Sequence, residues 1–152
     1  MQIWDTAGQE RFKSLRTPFY RGSDLCVLTF ALDDPNSFKN LSTWKEEFLY
    51  YADITDKENF PFIVVGNKLD IDSEKRKISI EQAKDWCAQN GNLPYIETSA
   101  KMATNVDSAF QTAVERWAKL DSKLDRPYRG QTVDLSSQNT TQQNTHGSNS
   151  CC

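Results

Sequence analysis

Short apolar runs alternate with longer amphipathic stretches along the first 120 residues of the chain. Residues 25–32 and 62–66 are apolar almost throughout. Runs of this length are typical of strands that are buried on both faces of a parallel sheet. Residues 1–4 are interpreted as the end of a further strand, and residues 94–97 as a weaker fourth strand.

The amphipathic stretches between these runs predict helices. Asp34 and Pro35 offer an N-cap followed by proline at the first helical position. Ser79 followed by Gln82 resembles a capping box, and Gly91 is suited to the end of that helix. We expect the aromatic residues of the helices to lie in the core. The apolar side chains recur at helical spacing in three stripes: Phe38, Leu41, Trp44, Phe48 and Tyr51; Ala83, Trp86 and Cys87; and Val106, Ala109, Phe110, Ala113, Val114 and Trp117.

The order of these elements indicates the fold class. Strands and helices alternate, which predicts a doubly wound α/β domain with a mostly parallel sheet. The pattern ends near residue 120. Residues 131–150 carry one charged side chain among many Ser, Thr, Asn and Gln, and such a stretch cannot bury enough apolar surface to fold. We therefore predict a domain over residues 1–120 and a disordered tail over residues 121–152.

Composition excludes several kinds of function. The chain has 152 residues and a net charge of −3, without a basic stripe, so nucleic acid is not expected as a partner. Its four cysteines and single histidine show no spacing typical of a zinc site. Cys26 and Cys87 lie in apolar contexts and are expected to pack in the core. No apolar run is long enough to span a bilayer, so contact with a membrane would require an anchor.

The first polar motif follows residues 1–4 and covers residues 5–10, Asp-Thr-Ala-Gly-Gln-Glu. A carboxylate at a strand end, here Asp5, can approach a divalent metal directly or through water. A glycine such as Gly8 lets the backbone approach a phosphate closely. A glutamine such as Gln9 can orient a water for in-line attack on phosphorus. Taken alone, the motif is equally compatible with an ordinary turn after a strand.

Two further motifs follow later strands, at residues 67–70 (Asn-Lys-Leu-Asp) and 97–101 (Glu-Thr-Ser-Ala-Lys). Asp70 can accept hydrogen bonds from the two adjacent donors of guanine, a pair that adenine lacks, and such a site rejects the wrong base strongly. A backbone N–H of the last motif can reach the guanine oxygen, while Thr98 and Ser99 stiffen the loop. Each motif alone could be a hydrophilic loop. In parallel folds, however, ligands bind where the carboxyl ends of strands meet.

Together these motifs make the chain similar to the Ras superfamily of small GTPases, and to its Rab family in particular. The resemblance covers residues 1–120 and the final cysteine pair, with further matches at residues 2–5, 11–15, 19–23 and 28–32. Residues 30–34 and 48–53 resemble the Rab branch that acts between the late endosome and the trans-Golgi. The resemblance implies a switch that binds and hydrolyses GTP and regulates vesicle traffic, with GTP or GDP and Mg²⁺ as cofactors.

The resemblance also implies roles for individual residues. Asp5 would hold Mg²⁺ through water, Gly8 would sense the terminal phosphate, and Gln9 would be the catalytic residue that positions the hydrolytic water. Exposed aromatic residues recognise effectors in Rabs, and Trp4 and Phe19 match two of them, although Tyr is more usual at the second. The residues expected to bind the base are Asn67, Lys68, Asp70, Ser99, Ala100 and Lys101.

The chain contains no phosphate-binding loop of the form G-x-x-x-x-G-K-[ST], because no two of its six glycines are five residues apart. The resemblance implies that the first β-α-β portion of a P-loop G domain is absent, and with it the central strand. We therefore expect weak nucleotide binding and a sheet edge prone to aggregation. The alternative to a working GTPase is a fragment without nucleotide activity, acting, if at all, as a protein-binding module.

Cys151 and Cys152 end the sequence. Two adjacent terminal cysteines could be incidental thiols or a strained disulfide. Behind a Rab-like domain they imply double geranylgeranylation, and two lipid chains are what stable anchoring requires. The implied location is the cytoplasmic face of late endosome or trans-Golgi membranes, with a cytosolic pool. The implied partners are effectors, a GTPase-activating protein, an exchange factor, an escort protein and a dissociation inhibitor.

Overall fold

The structure is a computed structural model that describes residues 2–6 and 17–121. Within those residues, three parallel strands form one sheet, in the order β1-β2-β3, with helices packed on both faces. This confirms the predicted doubly wound α/β class. The strands are β1 (Cys26–Ala31), β2 (Phe62–Asn67) and β3 (Tyr95–Thr98), and the α-helices are α1 (Pro35–Lys39), α2 (Leu41–Tyr51), α3 (Ile80–Gln89) and α4 (Val106–Asp121), with a short 3₁₀ helix at Thr17–Phe19.

Strand β2 lies at the centre of the sheet because it is apolar on both faces. Its residues from Phe62 to Gly66 are all buried. Phe62 and Val64 belong to the core beneath α2 and α3, whereas Ile63 and Val65 pack with Ala109 and Ala113 of α4 in a second core. The continuous apolar run in the sequence thus produces a strand that is covered on both sides.

The predicted helix starts are confirmed. The Asp34 side chain accepts a hydrogen bond from the Asn36 amide, with Pro35 at the first helical position. Ser79 and Gln82 form a reciprocal capping box at the start of α3. Gly91 follows the C-cap of α3 with a φ of +99°, a conformation that favours glycine. None of the helices in the described part of the chain combines the length and apolar character needed to cross a membrane.

Three expectations for these elements were wrong. The stretch after Asp34 forms two helices and not one. Asn40 interrupts the helix, because it is the C-cap of α1 and the N-cap of α2. Residues 2–6 form no strand. A strand is held by a paired neighbour, and in the described residues no strand pairs with the outer edge of β1.

The third error concerns the last helix, which is less buried than its apolar stripe predicts. Val114 and Trp117 are exposed, while Ala109 and Ala113 are buried. A cleft of about 990 Å³ runs along the open edge of β1, and Trp117 lines it together with Trp4 and Phe19. Cys26 also lines this cleft and is half-buried, whereas Cys87 is fully in the core, as predicted.

Candidate functional site

The last residues of β2 and β3 are joined by hydrogen bonds where the two strands end. The Asn67 side-chain oxygen accepts a hydrogen bond from the Ala100 amide at 3.0 Å and one from the Thr98 hydroxyl at 3.3 Å. The Leu69 amide donates to the Thr98 carbonyl at 2.9 Å. The two polar motifs that follow these strands therefore form one connected surface, because parallel strands end at the same edge of the sheet.

Asp70 and Ser99 connect the same two loops through their side chains. The Ser99 hydroxyl donates to the Asp70 carboxylate at 2.5 Å and accepts from the Met102 amide at 3.0 Å. The hydrogen bond from Ser99 holds the pKa of Asp70 below its usual range. Lys101 adds a weaker contact, with its ammonium 4.0 Å from the carboxylate. Asp70 is thus ionised near neutral pH and can only accept hydrogen bonds, as recognition of a pair of donors requires.

Lys68 has a partner that the sequence reasoning missed. Its ammonium lies 2.9 Å from both carboxylate oxygens of Asp33, two residues beyond the end of β1. The hydrogen bond from Lys68 lowers the pKa of Asp33. Lys68 also has a φ of +73°, an uncommon conformation for a side chain of this size. The signal in the sequence was the position of Asp33, because it follows a strand at the same edge as the other motifs.

A second missed feature lies just before the Thr98–Ser99 loop. Both terminal nitrogens of Arg76 contact the two carboxylate oxygens of Glu97, and the Arg76 Nε donates to the Ile78 carbonyl at 2.7 Å. The Tyr95 hydroxyl donates to the same carboxylate at 2.7 Å. Burial alone raises the pKa of Glu97, but the hydrogen bonds from Arg76 and Tyr95 outweigh it and lower the pKa. Glu97 is therefore held as a charged and largely buried group.

The predicted effector residues lie together at the surface. The rings of Trp4 and Phe19 stack with their centroids 5.0 Å apart, and both side chains are about half exposed (57% and 47%). Asp5 follows Trp4 and is exposed. The remaining predicted site residues, Gly8, Gln9, Cys151 and Cys152, lie outside the described residues.

The structure thus brings six predicted residues to one edge of the sheet, and their roles there remain predictions. They are Asn67, Lys68, Asp70, Ser99, Ala100 and Lys101. Asn67, Asp70, Ser99 and Ala100 are linked directly by hydrogen bonds across the two loops. Within the described residues, neither Trp4 nor Asp5 makes a side-chain contact with these six residues.

Comparison with known proteins places the chain in a family. A family model described as "Ras family" matches residues 1–119. The mouse Ras-related protein Rab-9B is 53% identical over 152 residues, covering 100% of this chain and 72% of the relative. The human Ras-related protein Rab-9A is 58% identical over 135 residues, covering 89% of this chain and 66% of the relative. The Arabidopsis thaliana Ras-related protein RABG3f is 49% identical over 140 residues, covering 91% and 68%. The chain therefore belongs to the Rab group of the Ras family of small GTPases, the GTP-hydrolysing switches of vesicle traffic.

Proposed function

We propose that this chain acts as a Rab-type switch that binds and hydrolyses GTP in traffic between the late endosome and the trans-Golgi. The observation that carries the proposal is the hydrogen bond of 2.5 Å from Ser99 to Asp70. It joins the two loops that the family uses to read guanine. Both carboxylate oxygens of Asp70 keep lone pairs for a ligand, and the Lys101 ammonium lies 4.0 Å from one of them. The similarity to Rab-9A and Rab-9B supports the choice of compartment.

Recognition of the base rests on Asp70 and the backbone of the next loop. An ionised carboxylate accepts hydrogen bonds from the N1–H and the exocyclic amine of guanine, and adenine offers no matching pair of donors. Asn67 fixes the Ala100 amide through a hydrogen bond of 3.0 Å, so the loop that carries Ser99, Ala100 and Lys101 has a defined position before any ligand arrives. The stem of Lys68 would pack on the base, while Asp33 holds its ammonium.

The phosphates and the metal would be met by the first motif. Asp5 is exposed, as a carboxylate that holds Mg²⁺ through water must be. When bound, Mg²⁺ would neutralise charge on the phosphate oxygens. In our proposal Gly8 contacts the terminal phosphate and Gln9 orients the attacking water.

Effectors and regulators would dock on the exposed pair formed by Trp4 and Phe19. Stacked aromatic rings at a surface are suited to protein recognition, because such residues dominate the energetics of interfaces. The proposed partners are effectors, a GTPase-activating protein, an exchange factor, an escort protein and a dissociation inhibitor. The comparisons lend the alternative, a binding module without nucleotide activity, no better support.

The membrane would be reached through the C-terminal pair. In our proposal, residues 1–120 form the GTPase domain, residues 121–152 form a tether, and Cys151 and Cys152 carry geranylgeranyl groups. Two lipid chains give stable anchoring where one gives only marginal binding. Changing both cysteines to Ser should leave the protein in the cytosol, and persistent membrane localisation would contradict the anchor.

The guanine-reading role is tested by changing Asp70→Asn and measuring binding of a fluorescent GDP derivative. Asn presents an amide donor to guanine's own donors, so the affinity should fall at least about tenfold, the loss expected for one hydrogen bond to a charged group. Asp72→Asn is the matched control, because Asp72 lies two residues away in an exposed pair with Lys75. Equal affinities of the two variants would refute the role of Asp70.

A further inference from the structure

Arg76 connects two segments that are far apart in the sequence. It lies in the loop between β2 and α3, six residues after Asp70, and it grips Glu97 in β3 with both of its terminal nitrogens. Only 24% of the Arg76 side chain and 12% of the Glu97 side chain are exposed. Paired and bidentate contacts of this kind fix orientation as well as distance, so the pair is suited to hold one loop against the other.

Glu97 is held by two further hydrogen bonds. Its carboxylate accepts from the Tyr95 hydroxyl at 2.7 Å, and its carbonyl accepts from the Asn105 side chain at 2.9 Å. Two residues further on, Ser99 donates to Asp70 at 2.5 Å. A displacement of Glu97 would therefore be passed through a short segment of chain to Ser99, and from Ser99 to the Asp70 carboxylate.

The loop on the Arg76 side is anchored as well. The amides of Lys77 and Ile78 donate to the Leu32 carbonyl at 2.9 and 3.2 Å, and Ile78 is buried. Arg76 itself donates to the Ile78 carbonyl at 2.7 Å. Its guanidinium is thus held between the end of β1 and β3, and this anchoring opposes a displacement of Glu97.

We propose that Arg76 is a positioning residue for base recognition: by clamping Glu97, it sets the place of Ser99 and thereby the orientation of the Asp70 carboxylate toward the exocyclic amine of the base. This inference rests on the proposed function. Arg76 contacts Glu97 and the Ile78 carbonyl and acts on the Asp70 carboxylate through Ser99. We expect its effect to be on selectivity, because a displaced carboxylate no longer faces both donors of guanine.

A first experiment measures the clamp without any nucleotide. Hydrogen exchange is compared in the wild-type chain and in Arg76→Gln, at the amides of Ser99 and Thr104, which bond to each other's carbonyls at 3.1 and 3.0 Å. Their exchange should accelerate at least about tenfold, the factor that corresponds to losing a hydrogen bond between charged groups. Amides in the centre of β2 should accelerate less.

Lys75→Gln provides the matched control for this exchange measurement. This variant removes the neighbouring ion pair between Lys75 and Asp72. The two side chains are 69% and 72% exposed, and the pair does not reach β3. This variant should leave the exchange of Ser99 and Thr104 unchanged. Arg76→Lys, which keeps the charge but loses the bidentate grip, should restore part of the protection. Unchanged exchange in Arg76→Gln, or equal acceleration throughout the chain, would overturn the proposal.

A second experiment separates positioning from a loss of stability. The affinities for GDP and IDP are compared, because IDP lacks the exocyclic amine. In Arg76→Gln the preference for GDP should fall at least about fivefold, whereas a loss of stability alone weakens both nucleotides alike. A preference equal to that of the wild type would overturn the role in selectivity. If the wild-type chain binds neither nucleotide, the proposed function and the selectivity role both fail, and the exchange measurement still decides whether Arg76 clamps the loop.

Discussion

Gly66 is the position in the central strand where a single methyl group should have the largest effect. A Cβ at this position would lie 2.7 Å from the Tyr95 hydroxyl oxygen, 3.1 Å from Leu32 and 3.2 Å from Phe30. The first distance is too short for a van der Waals contact. Leu32 and Phe30 are buried in the core, so they have little room to shift. In Gly66→Ala the Tyr95 ring must therefore shift, and we expect it to lose its hydrogen bond to Glu97.

The cost follows from these two effects. Overpacking of a filled core costs about 1–3 kcal/mol, and the lost hydrogen bond to a charged group adds about 1.5 kcal/mol. We expect Gly66→Ala to lower the free energy of unfolding by about 3 kcal/mol. Removing the hydroxyl with Tyr95→Phe takes away the atom that the methyl group meets. In that background Gly66→Ala should cost only about 1–2 kcal/mol, the remaining crowding against Leu32 and Phe30.

The assay is a double-mutant cycle by urea denaturation. The coupling between Gly66→Ala and Tyr95→Phe should be at least about 1 kcal/mol, as for residues in direct contact. Gly91→Ala serves as the control, because nothing lies within 4 Å of its Cβ and its φ is +99°. It should be destabilising through backbone strain and should show no coupling to Tyr95→Phe. Additive effects at Gly66 and Tyr95 would refute the steric reasoning.

Two further predictions concern titratable groups. The fold lowers the pKa of Glu97 below 4.5, so its charge stabilises the fold above pH 4.5, and this effect is lost as the pH falls through the lowered pKa. Glu97→Gln should therefore be less stable than the wild type at pH 7 and should lose less stability in acid. Thermal melting at several pH values measures this, and parallel curves for the two proteins would contradict it. Cys87 is 3% exposed, and burial raises the pKa of its thiol to about 11. Its alkylation by iodoacetamide at pH 8 should therefore be at least about a hundredfold slower in the folded chain than in urea. Peptide mass spectrometry measures the two rates, and equal rates would contradict burial.

Local patterns were sufficient to predict the elements whose cause is local. Strand β2 is apolar from Phe62 to Gly66, and a run of this length is typical of a strand that is covered on both faces. The start of α3 was predictable because both halves of its capping box, Ser79 and Gln82, lie within one turn. The polar motifs at the ends of β2 and β3 could be brought together because parallel strands end at one edge.

The remaining features depend on contacts between distant residues. Arg76 and Glu97 are 21 residues apart in the sequence, and their pairing depends on how the loop after β2 crosses the sheet. Asp33 and Lys68 are 35 residues apart and meet only because β1 and β2 are neighbours. The apolar stripe of α4 predicted burial for Trp117. Burial depends on what lies opposite, and here a cleft follows the edge of β1 that no strand of the described residues covers.

The central claim is that the loops after β2 and β3 read guanine. It is tested most directly by competition, in which GDP and ADP displace a fluorescent guanine nucleotide from the purified chain. Only guanine offers Asp70 two adjacent donors, so GDP should compete at least about tenfold better than ADP, even if both bind weakly. Equal competition by GDP and ADP would contradict the claim, because the phosphates alone would then account for binding.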